Sequence, residues 1–154
     1  MTYASLDFLG ARARLTVFLT AWFLACSGDP ALRPDEVPQL ELGFTNRDQV
    51  HRVIIRGGDK ESASPLETEV SEGGYVEFVT ADWFVHEVAF ELDSLSPAAR
   101  NFLERTDQVV SPPLIRKDSR YVIDFSEGPS GRYPFILKGN GASGRGVVVV
   151  IAGT

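Results

Sequence analysis

Few side chains in this chain of 154 residues could carry metal or nucleophilic chemistry. There is one cysteine, Cys26, one methionine, the initiator, and two histidines, His51 and His86. One cysteine allows neither an intrachain disulfide nor a zinc site of cysteine spacing. A triad would need His51 or His86 beside an activated serine, and no serine stands in a Gly-x-Ser-x-Gly turn. Glu67 and Glu69 alternate on one face of a strand-like stretch, as solvated carboxylates do. A mononuclear metal site could be drawn from His86, His51 and a carboxylate such as Asp82 or Glu87, but His51 belongs to a different strand-like stretch. Residues Gly139 to Gly144 spell Gly-x-Gly-x-x-Gly. A dinucleotide site needs that turn to open a helix whose N-terminus meets the pyrophosphate. Here a valine-rich strand follows from Val147, so the glycines read as a tight hairpin loop. No catalytic residue is assigned, no cofactor is expected, and the chain reads as non-enzymatic.

The surface chemistry narrows the partners. The formal net charge is -6, and setting residues 1–25 aside removes Arg12, Arg14 and Asp7 and leaves -7. Such a surface repels nucleic acid and anionic headgroups. Apolar residues at 44% and charged residues at 23% are ordinary for a globular domain.

The first 26 residues differ in kind from the rest. Arg12 and Arg14 precede a charge-free run from Leu15 to Cys26. A basic flank before roughly 7–15 apolar residues is the pattern of a secretory signal. The run is short for a bilayer span, which takes about 20 apolar residues. Its end, Phe23-Leu24-Ala25-Cys26, resembles a bacterial lipobox, which implies lipidation at Cys26, although Phe23 departs from the usual leucine. The other reading is an uncleaved signal anchor. Either one implies a domain on the periplasmic side of the inner membrane or on the outer cell surface, held at the membrane; two acyl chains would anchor it stably. Residues 27–39, with Pro30, Pro34 and Pro38, read as an extended, stiff linker.

Residues 40–154 carry the folded domain. Period-2 alternation predicts strands at Leu40–Phe44, His51–Arg56, Glu67–Val70, Tyr75–Thr80, His86–Leu92, Arg120–Phe125, Tyr133–Lys138 and Val147–Ala152. The last contains Val-Val-Val-Val-Ile, a run expected of a strand buried on both faces. Ser96 as cap, Pro97 at the first helical position, and Ala99, Phe102 and Leu103 at helical spacing predict one helix ending near Thr106. Short strands with frequent turn signals and one inserted helix argue for an all-β, antiparallel Greek-key sandwich.

Three stretches resemble the cupredoxins, the plastocyanin and azurin group. Gly74–Val79 followed by Val85-His86-Glu87-Val88 resembles the strand and loop that deliver the first histidine ligand. Ser111–Leu114 with Tyr121–Phe125 resembles the next strand, and Gly131–Leu137 with Gly144–Val150 the final hairpin. The family holds copper with two histidines, a cysteine and an axial methionine, the thiolate being the donor that defines the site. Only His86 matches. Leu137 stands at the cysteine position, Asn140 at the second histidine, and Gly144 or Arg145 at the methionine. His86 is therefore a vestigial ligand position, and the resemblance implies a cupredoxin-type fold with a degenerate copper site.

In this family the metal end of the sandwich commonly docks partners. The matching loops here offer Trp83, Phe84, Pro112, Pro113, Leu114 and Arg145 as candidate interaction residues, tryptophan and arginine being over-represented among residues that dominate binding energy. Trp83 or Phe84 could equally plug the end of the core. Copper-free cupredoxin domains serve as structural subunits, as in subunit II of quinol oxidases. The resemblance thus implies an accessory subunit on a membrane-embedded complex, respiratory or photosynthetic. The alternatives are a copper-binding electron carrier with an atypical site at His86 and a periplasmic small-ligand module.

Overall fold

The computed structural model describes residues 39–40, 42–45 and 47–153. Cys26, the segment 1–26 and nearly all of the linker lie outside them. Among the described residues, eight strands form two four-stranded sheets. They are β1 (Val50–Arg56), β2 (Ser62–Ser64), β3 (Glu67–Ser71), β4 (Tyr75–Thr80), β5 (Glu87–Phe90), β6 (Arg120–Asp124), β7 (Gly131–Lys138) and β8 (Gly144–Ile151). The sheet orders are β2-β1-β4-β6 and β3-β8-β7-β5. Helix α1 (Pro97–Arg105) follows a short 3-10 turn at Leu92–Ser94. The Ser96 hydroxyl accepts from the Ala99 amide, and Ala99, Phe102 and Leu103 are its buried residues, as the sequence pattern predicts.

Three details differ from the sequence reading. Two neighbour pairs, β1 with β4 and β3 with β8, are parallel. The chain changes sheets between β2 and β3, so strands that meet side by side are not consecutive in sequence, and antiparallel hairpin pairing is not imposed on them. Strand β8 has Val148 and Val150 buried, Val147 and Val149 half-buried, and Ile151 exposed. It has neighbours on both edges, but only one of its faces meets the core. Gln39, Leu40 and Leu42 are helical, and the predicted strand there does not form; Leu40 is 86% exposed. Gly43 then turns the chain at a φ of 72°, a conformation glycine adopts without penalty.

The core is aromatic toward one end of the sandwich. Tyr133 packs edge-on against Phe125 at 5.1 Å between ring centroids, and Phe125 stacks on Phe102 of α1 at 5.9 Å. Phe135 meets Phe78 edge-on at 5.0 Å. The Tyr133 hydroxyl donates to the Pro129 carbonyl at 2.6 Å, which satisfies its polar end; burial first, and Glu72 second, push its pKa up to about 12. On the outer face of the first sheet, Glu77 is wholly buried between Arg52, whose Nε donates to Oε2 at 2.8 Å, and Arg120, which donates to Oε1.

His51 pairs in register with Val76 near the start of β1, and its Nε2 is buried without a hydrogen-bond partner among the described residues. Burial disfavours the imidazolium and lowers the pKa. Below the free-histidine value of about 6.5 the unfolded chain therefore binds more protons than the folded one, so stability falls as the pH drops. Urea midpoints should be lower at pH 5 than at pH 7.5. His51→Gln should remove most of that difference without losing stability at pH 7.5.

Candidate functional site

Away from the aromatic end, the sandwich closes on a buried charged contact. Strand β1 runs toward this end and stops at Arg56, because Gly57, Gly58 and Asp59 turn the chain out of the sheet. Strand β4 arrives alongside it and stops at Thr80, whose hydroxyl donates to the Arg116 carbonyl at 2.6 Å and accepts from the Ser119 amide at 3.0 Å. The loop from Ala81 to Val85 then delivers His86, which bridges to Leu114 through both backbone groups.

His86 is completely buried. Its Nδ1 lies 2.7 Å from Glu61 Oε2 and its Nε2 lies 2.8 Å from Asp82 Oδ1. Both ring nitrogens are thus engaged by acidic side chains, one from each of two loops. Glu61 is 1% exposed. Asp82 also accepts from the Gly57 amide at 2.8 Å and the Phe84 amide at 2.9 Å, an Asx-type turn that shapes its own loop. Burial alone would raise the Asp82 carboxyl pKa, but the Gly57 amide, the His86 ring and the Phe84 amide together outweigh it and lower the value.

The glycine-rich loop closes over Glu61. The Glu61 amide donates to the Ala142 carbonyl at 2.8 Å, and the Ala142 amide to the Asp59 carbonyl at 2.9 Å. A Cβ at Gly139 would lie 2.1 Å from Glu61 Oε1, one at Gly141 2.2 Å from the Gly58 carbonyl oxygen, and one at Gly144 2.2 Å from the Glu61 carbonyl oxygen. These glycines are there for close approach of segment 57–61. Glu61 Oε1 has no hydrogen-bond partner among the described residues, so the carboxylate is held by its packing and by His86.

This donor set does not fit a type 1 copper ion. Leu137, at the thiolate position, is fully buried and faces the core, and Asn140 is exposed. Both nitrogens of His86 are taken up by carboxylates at hydrogen-bonding distance, and a metal between nitrogen and oxygen would need each at about 2 Å on either side of it. His51 cannot join. Gly57 lies against His86, and six strand residues at about 3.3 Å each put His51 roughly 20 Å away. Among the described residues no group of three His, Cys, Asp or Glu side chains is arranged to hold a metal ion.

No protein-family model and no curated protein matches the chain. Solved structures do. A copper-containing nitrite reductase from Thermus scotoductus aligns over 73% of this chain and 25% of its own, at 22% identity and a TM-score of 0.51. The fold is cupredoxin-like. A purple cupredoxin from Nitrosopumilus maritimus, at 19% identity, aligns over 66% of this chain and 99% of its own with a TM-score of 0.44. An oxidised single-site variant of amicyanin, also at 19% identity, aligns over 66% of this chain and 82% of its own with a TM-score of 0.44. At these identities the likeness is one of fold.

Of the interaction candidates on this cupredoxin-like domain, Trp83 at 74% exposure stands outside the core, which excludes core plugging for it, whereas Phe84, at 45%, lays its ring over Gly57 at the edge of the His86 contact. Pro112 and Pro113 are exposed as well. Leu114 is a correction: it is 3% exposed, because its backbone bridge to His86 seats its side chain in the core. Arg145 is exposed on the outer face of the second sheet, where it lies 3.4 Å from Glu91. Sequence reasoning missed Val85 and Ile115, exposed at 46% and 64%, and missed Glu61, whose link to His86 spans 25 positions. A depression of about 240 Å³ between Val85, Pro113, Lys138 and Asn140 is small for an organic ligand.

His86→Leu should destabilise the protein by about 3–5 kcal/mol, because it strands the buried Glu61 charge. The double variant Glu61→Leu/His86→Leu should cost less than the His86 change alone; a denaturant double-mutant cycle measures the coupling. Gly139→Ala should lower the urea midpoint clearly, whereas Gly58→Ala, with its nearest contact at 3.9 Å, should barely move it.

Proposed function

We propose that this cupredoxin-like domain is a non-catalytic docking subunit that works without copper, held by its N-terminal segment at the outer face of the membrane and seated on a membrane-embedded protein complex. The observation that carries the reading is the exposed apolar cluster Trp83, Phe84, Val85 and Ile115 standing directly over a buried carboxylate–imidazole–carboxylate contact. The buried contact, with Asp82 accepting from the Gly57 and Phe84 amides, holds the loop that carries Trp83, Phe84 and Val85. That lowers the ordering cost of binding through them. Tethering by residues 1–26, through an acylated Cys26 or an uncleaved anchor, would raise the effective concentration of the domain at its partner.

The electron-carrier alternative needs a metal at His86, and the two carboxylates compete for both of its nitrogens. A respiratory or photosynthetic host is consistent with the family likeness, and no residue here selects between them.

Gentle detergent extraction followed by native electrophoresis tests the proposal. The protein should co-migrate with a large complex and should carry no stoichiometric copper after purification. Trp83→Ala should weaken the association roughly 30-fold or more, as loss of an aromatic hot spot of about 2 kcal/mol does, while leaving the urea midpoint unchanged. A protein that always runs as a free monomer, or that retains one copper per chain with a visible absorption band, would overturn the reading.

A further inference from the structure

The charges at the two ends of the sandwich differ in sign. At the His86 end, Arg56, Lys60, Arg116 and Lys117 are exposed, and none forms an ion pair with another described residue. Two exposed carboxylates, Asp59 and Asp118, share those loops, and Lys138 is paired with Glu87 at 2.9 Å. The buried Glu61 and Asp82 are answered by His86. The opposite end, around α1 and the loops after β3 and β6, carries Asp48, Glu72, Asp93, Glu104, Asp107, Asp124 and Glu127 against Arg47, Arg100 and Arg105. Among the described residues, four of the five cations without an ion pair thus stand around the exposed apolar loop, Arg47 at the far end being the fifth.

Resting on the docking reading above, we propose that the partner surface is a protein surface with an apolar acceptor for Trp83, Phe84, Val85 and Ile115 rimmed by aspartate and glutamate. Salt bridges formed at the rim steer encounter and fix register, while the aromatic anchors supply most of the affinity. A protein is favoured over a lipid surface by the way the chain arrives. The segment before β1 reaches the sandwich at the far end, where Phe44 packs on Tyr75 with ring centroids 4.4 Å apart and the Tyr75 amide donates to the Gln49 carbonyl at 3.0 Å. An anchor in residues 1–26 would thus join the domain at its acidic end, so the basic, apolar end is the one opposite the tether and is free to meet an extramembrane part of the complex.

The test is in-cell photocrosslinking of the full chain, with a photoreactive amino acid at Ile115 and a control at Asn101 on α1. The crosslinked peptide is then sequenced. The expected result is one protein partner, captured at Ile115 and not at Asn101, through a peptide with an excess of Asp and Glu. In isolated membranes the yield should fall at least tenfold between about 0.01 and about 1 M salt, as the Debye length shortens from roughly 30 to roughly 3 Å. Arg116→Glu/Lys117→Glu should lower it by about as much at low salt, since like charges face one another across the rim. A single partner whose capture ignores salt and charge reversal would overturn the acidic rim and leave the docking reading standing. Crosslinks to lipid alone, or none at Ile115, would overturn both.

Discussion

His86 is buried with a carboxylate 2.7 Å from one ring nitrogen and another 2.8 Å from the other, and three loops meet on that contact. Glu61 brings segment 57–61, Asp82 brings the loop after β4, and the glycines of 139–144 pack onto Glu61. Buried charge is costly unless it is paired and hydrogen-bonded, so each loop has one acceptable position. In a copper-bearing relative of this fold a metal ion would tie such loops together through its ligands. Here an imidazole ring with an acidic side chain at each nitrogen ties three loops together.

The same contact explains the uneven build of the molecule. At the far end, Phe102, Phe125 and Tyr133 close the sandwich with apolar area, the commonest device in a protein core. At the His86 end, the charged plug fills the interior, and Trp83, Val85 and Ile115 of the neighbouring loops are left outside it. Trp83 and Phe84 follow directly from Asp82, whose carboxylate accepts from the Phe84 amide and so sets the loop that displays them. The exposure of an apolar loop and the burial of a charged triad are two consequences of one arrangement.

Much of this was written locally in the chain. Period-2 alternation and, for β8, a continuous apolar run located seven of the eight labelled strands, because a strand facing the core must place apolar side chains on that face wherever it runs. Ser96, Pro97 and the spacing of Ala99, Phe102 and Leu103 located α1 through contacts within a few residues. By contrast, Leu40 and Leu42 alternate like a strand but have no sheet neighbour, and alternation cannot report whether a partner strand is present.

What only the tertiary structure decided is who meets whom. Nothing near position 61 marks that glutamate as the one that finds His86, for its surroundings in sequence are loop-like and polar. Its burial follows from β2 and the glycine loop closing on it. Nor could the sequence tell Leu114, buried, from Ile115, exposed at 64%, although they are adjacent and equally apolar. Propensity and periodicity are properties of a short window, whereas burial and ion pairing depend on segments tens of residues apart, which come together only when the two sheets pack.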